Sequence, residues 1–127
     1  MALPKNLRYS EYVWVKLDGG VATLGITDYG LKQVKEIVFI DLPKKGQKIA
    51  RGDTFVSLES VKWSGHIKSP VSGLVSAVND ALFDEPEKLN RDPFNSWVCK
   101  MTLSKPDEFA AIMDSPAAEK WVKENLG

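Results

Sequence analysis

One seven-residue pattern occurs twice in this chain. Ile40-Asp41-Leu42-Pro43-Lys44-Lys45-Gly46 and Ile67-Lys68-Ser69-Pro70-Val71-Ser72-Gly73 both read I-x-x-P-x-x-G, and an apolar β segment leads into each. Proline cannot donate to a strand ladder and glycine tolerates turn geometry, so each copy ends a strand and re-aims the chain. Two similar β half-units are predicted. The copies bracket the stretch from Leu58 to Ile67, where Lys62 falls on a turn between two strands.

The flanking segments agree with a β-rich body. Val13 to Ile26 reads as a hairpin about Asp18-Gly19-Gly20. Thr27-Asp28 can cap a short helical turn, and Ile37-Val38-Phe39-Ile40 is a β-branched and aromatic run that Pro43 and Gly46 terminate. Strands are expected from Thr54 to Leu58, Leu74 to Val78 and Trp97 to Leu103, with a short helix or ordered loop from Asp80 to Asn90. Ser104-Lys105-Pro106-Asp107-Glu108 carries a hydroxyl cap, an early proline and acids in the first turn. Ser115-Pro116 starts a second helix in which Ala118, Trp121, Val122 and Asn125 share a face, only the first three being suited to burial. Strands first and helices last predict a mainly β fold with small α content, the helical tail packed on the body.

A chain of 127 residues fits one domain, 1–127, with a single core. Seventeen basic and seventeen acidic side chains cancel, which speaks against a phosphate-backbone binder, so nucleic acid is not expected as a partner. The residues from Met1 to Arg8 lack the apolar stretch of a signal peptide, and no apolar run is long enough to span a bilayer. No membrane association and a cytoplasmic location are expected. Cys99 is the only cysteine, so no internal disulfide can form; within Trp97-Val98-Cys99 it reads as a buried, inert thiol. His66 taken alone reads as a half-buried strand residue. No metal-ligand cluster, phosphate loop or catalytic triad spacing is present, so no enzyme activity is expected.

By its spacing alone Lys62 is an ordinary hairpin lysine. The stretch Glu59-Ser60-Val61-Lys62, followed by Ser69-Pro70-Val71-Ser72-Gly73, resembles the lipoylation region of the glycine cleavage system H protein family. Val13-Trp14-Val15, Val21-Ala22-Thr23-Leu24-Gly25-Ile26-Thr27-Asp28, Ile37 to Pro43, Val78-Asn79, Leu89-Asn90 and Asp92-Pro93-Phe94 follow in the family's order over nearly the whole chain. The resemblance implies a lipoyl-domain-like barrel-sandwich hybrid of two quasi-symmetric sheets, with an N-terminal hairpin and C-terminal helices. It implies lipoic acid amide-linked to Lys62, with Glu59, Ser60, Val61, Trp63 and His66 around the arm. A lipoate ligase or lipoyl transferase is then a required partner, and dihydrolipoyl dehydrogenase a further one.

The chain departs from the family pattern around that arm. Where the family usually has a His-Glu pair before the tryptophan, this chain has Tyr12-Val13. His66 replaces a frequent acid, Trp63 a small residue, and Asn95-Ser96 stand where glycine or acids often precede Trp97. Glu11 is the neighbouring carboxylate that can compensate. Losing a carboxylate at Val13 and gaining an imidazole at His66 suits a neutral or anionic cargo better than an ammonium. These features resemble the H-like lipoate-binding proteins of heterodisulfide-reductase-like sulfur oxidation, so sulfur is the expected cargo and that complex the expected client. The alternative is the aminomethyl group of glycine cleavage, passed among glycine decarboxylase, aminomethyltransferase and dihydrolipoyl dehydrogenase. An unmodified interaction module is the third reading.

Overall fold

The computed structural model describes residues 2–126. Nine strands form two antiparallel sheets. The larger contains β1 (Arg8–Ser10), β2 (Val13–Asp18), β3 (Val21–Ile26), β5 (Lys48–Ile49), β8 (Gly73–Val78) and β9 (Trp97–Leu103), in the spatial order β1-β2-β3-β9-β8-β5. The smaller contains β4 (Ile37–Asp41), β6 (Thr54–Ser60) and β7 (Ser64–Lys68), with β6 central. Their facing sides bury Val15, Leu24, Ile40, Leu58, Val75 and Met101, each no more than 1% exposed. This is the mainly β sandwich that the sequence predicts. The sheets hold six and three strands, so the symmetry does not lie in their sizes.

It lies in the repeated heptapeptide. In the first copy the chain leaves β4 of the small sheet and enters β5 of the large one; in the second it leaves β7 and enters β8. The arrival strands β5 and β8 pair with each other, Lys48 opposite Leu74 and Ile49 opposite Gly73. Ile40 and Ile67, the first residues of the two copies, are both buried. The final glycines serve different needs. Gly46 has φ +90°, a left-handed conformation that only glycine adopts freely. Gly73 has no such angle, but a Cβ there would sit 2.4 Å from the Thr102 carbonyl oxygen on β9.

The hairpin β2–β3 turns at Asp18-Gly19-Gly20, with Gly19 at φ +64°. Thr27 caps α1 (Asp28–Val34): its Oγ1 accepts a 3.1 Å hydrogen bond from the Gly30 amide. The segment around Pro86 resolves into two single-turn helices, α2 (Ala81–Asp84) and α3 (Lys88–Arg91). Helix α4 (Ser115–Asn125) packs beside β1 and closes a second apolar cluster that includes Leu3, Tyr9, Trp14, Tyr29, Ala118 and Val122.

One expectation at this level is corrected. Ser104 caps nothing: its amide donates to the Ser72 carbonyl at 3.0 Å, and a 3-10 helix, Pro106–Ala111, begins after Lys105 without a side-chain cap. Helix α4 starts at Ser115 as the sequence predicts, and its cap is Asp114, whose Oδ1 accepts from the Ala117 amide. On its predicted face Ala118 and Val122 are buried and Trp121 is half-buried, while Asn125 is exposed, as its polarity implies, and donates to the Trp121 carbonyl.

Candidate functional site

The β6–β7 hairpin carries Lys62 at its tip. The Ser60 amide donates to the Trp63 carbonyl at 2.7 Å, closing the turn, and Val61 and Lys62 project into solvent, Val61 at 82% exposure. Below the turn the ladder continues without a break in register from Glu59 opposite Ser64 to Ser57 opposite His66. A charged amine on a long side chain thus stands clear of neighbouring structure on a rigid base. That arrangement fits an amide-linked prosthetic group, since an acylating enzyme can close around the amine without deforming the fold.

Trp63 does not lie open beside the lysine. Along β7 the side chains alternate: Ser64, His66 and Lys68 face outward, while Ile67 is buried. Trp63 falls on the inner side with Gly65 and Ile67, packs against the main core and is only half-buried. Its indole covers Gly65 so closely that a Cβ there would meet two ring carbons at 2.6 Å. The expected apolar face beside the arm is therefore turned inward.

His66 is exposed rather than half-buried, and its Nδ1 lies 2.7 Å from Ser57 Oγ. It stands on a ridge between two grooves. One, of about 330 Å³, is lined among others by Glu11, Tyr12, Val13, Arg51, His66 and Lys68. The sequence singled out Glu11, Val13 and His66, and the fold brings them to this cleft; Val13 itself is 2% exposed and contributes little surface. Arg51 and Lys68 were not anticipated, because the first arrives on the β5–β6 turn. Glu11 sits there with φ +50°, and its carbonyl accepts the Tyr29 hydroxyl at 2.5 Å, which fixes the turn between β1 and β2. The second groove, also about 330 Å³, crosses the outer face of the small sheet and is bounded by Phe39, Asp41, Ser57, Glu59, Ser64 and His66. Ser60, Val61 and Lys62 belong to the tip and line neither groove.

Cys99 is buried in β9, and desolvation pushes its thiol up to about 12. Among the described residues no group of His, Cys, Asp and Glu could hold a metal ion, and no helix is long and apolar enough to cross a membrane.

A protein-family model described as "Glycine cleavage H-protein" matches residues 7–125. The chain belongs to the glycine cleavage H-protein family. Members are non-catalytic carriers of lipoic acid held covalently on a lysine. The chain is 44% identical over 128 residues to the glycine cleavage system H protein of Acidobacterium capsulatum, covering 100% of this chain and 99% of the relative. It is 42% identical to the probable glycine cleavage system H protein of Aeropyrum pernix, covering 87% and 79%. In fold it matches the crystal structure of a glycine cleavage system H protein from Mycobacterium marinum, with TM-score 0.83 at 23% identity, covering 97% of this chain and 98% of that one.

Proposed function

We propose that this H-family protein carries lipoate on Lys62 and serves glycine cleavage, moving the aminomethyl cargo between glycine decarboxylase and aminomethyltransferase, with dihydrolipoyl dehydrogenase as the third client. The exposed tip supports Lys62 as the attachment point, and the names of the relatives support the pathway over sulfur oxidation. When attached, the group supplies a dithiolane that opens and recloses by thiol–disulfide exchange. The protein's residues do the rest. The hairpin holds the lysine at a fixed place, Glu59 keeps a carboxylate three residues before it, and acylation removes the ammonium charge so that the extended side chain becomes largely apolar. A lipoate ligase or lipoyl transferase and a cytoplasmic location belong to this reading.

One observation favours a second reading. The cleft along β7 from His66 to Lys68 pairs a single carboxylate, Glu11, with the cations Arg51 and Lys68, a balance that suits a neutral or anionic sulfur cargo better than an ammonium. Purified lipoylated protein decides between them. Glycine decarboxylase-dependent loading with carbon from glycine supports the first reading. Failure of that loading, with transfer of sulfur from a persulfide donor, overturns it in favour of the second.

A further inference from the structure

Ser72, in the second heptapeptide copy, has every polar group engaged by a distant part of the chain. Its carbonyl accepts from the Ser104 amide at 3.0 Å. Its amide donates to Glu108 Oε1 at 2.7 Å, and its hydroxyl donates to Glu108 Oε2 at 3.1 Å. The same hydroxyl oxygen accepts from the Arg51 amide at 2.9 Å. A serine hydroxyl has one proton to give; the carboxylate takes it, which leaves the lone pairs to Arg51. Glu108 thus holds the β5–β6 turn through a single hydroxyl.

Both ends of this tie border the cleft that holds Glu11. Arg51 and Gly52 line it from the β5–β6 turn, while Ala111 and Ile112 line it where the 3-10 helix carrying Glu108 ends. None of that helix's residues is fully buried. Half-buried Phe109 rests on the core, and the other fixings are polar. Glu108 grips Ser72, and Arg8 donates from Nη1 to the Ile112 carbonyl at 3.0 Å with its guanidinium 5.4 Å over the Phe109 ring. A segment with so little buried surface opens locally at low cost unless such clamps hold it. Resting on the proposed carrier function, we infer that Glu108 is a positioning residue for this cleft: through the Ser72 hydroxyl it locks the 3-10 helix and the β5–β6 turn to each other and keeps water from a cargo held between them.

The test uses the full lipoylated chain, loaded with the aminomethyl group from glycine and then freed of decarboxylase. In water the loaded carbon is lost as formaldehyde: its bonds to sulfur and nitrogen break, water supplies the oxygen, and the thiol and ammonia leave with no net oxidation. Glu108→Ala should release formaldehyde several-fold faster than wild type. Glu108→Asp, a methylene too short to span both donors, should follow it, and Glu108→Gln, whose Oε1 still accepts from the Ser72 amide, should recover most of the retention. On the unlipoylated chain, hydrogen exchange at the Arg51 amide should quicken about tenfold in Glu108→Ala, while exchange at the Tyr9 and Met113 amides, which bond each other's carbonyls, stays as in wild type. An Arg51 exchange rate indifferent to Glu108, or formaldehyde release unchanged while that exchange quickens, would overturn the inference. Should Glu108→Ala not fold, Glu108→Asp set against Glu108→Gln makes the same comparison. A wild-type chain that takes no carbon from glycine defeats the pathway reading alone, since the exchange measurement still decides the tie.

Discussion

Ser57 and His66 face each other across β6 and β7, with the serine Oγ 2.7 Å from the imidazole Nδ1. Of the two ring nitrogens, Nδ1 is engaged by the sheet's own serine, so Nε2 is the one left to meet a ligand or partner. The pair is exposed, and an exposed hydrogen bond exchanges readily with water. Ser57→Ala should therefore change unfolding free energy in urea by less than about 0.5 kcal/mol. It should also raise the mobility of the His66 ring, read from side-chain relaxation. A rigid ring in the variant would show that something other than Ser57 holds it.

Lys62→Ala should leave the urea midpoint unchanged within about 0.5 kcal/mol, because an exposed turn side chain buries nothing. The same substitution should abolish lipoylation by a competent ligase, measured by intact mass. Residual adduct elsewhere would remove Lys62 from its proposed role.

The two glycines of the repeated heptapeptide should respond differently to alanine. Gly46→Ala forces a Cβ into a left-handed backbone with open space around it, at a cost of about 1 kcal/mol. Gly73→Ala drives a methyl against the backbone of β9, where nothing flexible can yield. Its cost should reach about 2 to 3 kcal/mol, with exchange protection lost along β8 and β9. Equal costs at the two sites would refute the distinction.

The hairpin and the repeated half-units were legible because turn glycines and prolines write their geometry locally, whereas the passage of each copy from one sheet to the other was not. The β1 and β5 strands escaped notice at three and two residues, too short to show a period. Ser104 looked like a cap, but its amide is drawn to the Ser72 carbonyl, one step beyond the β8–β9 pair Gly73 and Leu103, a competition only the tertiary fold reveals. The orientation of Trp63 follows from strand parity: once Ile67 faces the core, Gly65 and Trp63 do too. The meeting of Arg51, Lys68 and Glu11 at one cleft had no sequence signal, since three separate turns and strands deliver them.

Alkaline conditions should weaken the fold. Burial raises the Cys99 thiol from 9.0 to about 12, and burial foremost also raises the phenols of Tyr9 and Tyr29 well above their ordinary range. As pH climbs past about 9 the unfolded chain releases these protons while the native chain keeps them, so unfolding becomes easier. Denaturant midpoints measured from neutral pH upward should fall from about pH 9, and Cys99→Ala should flatten part of the decline. Native protein should likewise resist thiol-labelling reagents until denatured.

Strand β9 is inserted between β3 and β8, so the large sheet is incomplete until residue 103 has been synthesised. The small sheet, by contrast, lies within Ile37 to Lys68, with β5 of the large sheet between β4 and β6. Its hairpin can form early, but the core that seats Trp63 closes only when the last third of the chain arrives, a non-local step of the slow kind. An acylating enzyme that reads the finished tip must therefore wait until β9 is in place, so modification would report that the large sheet has closed.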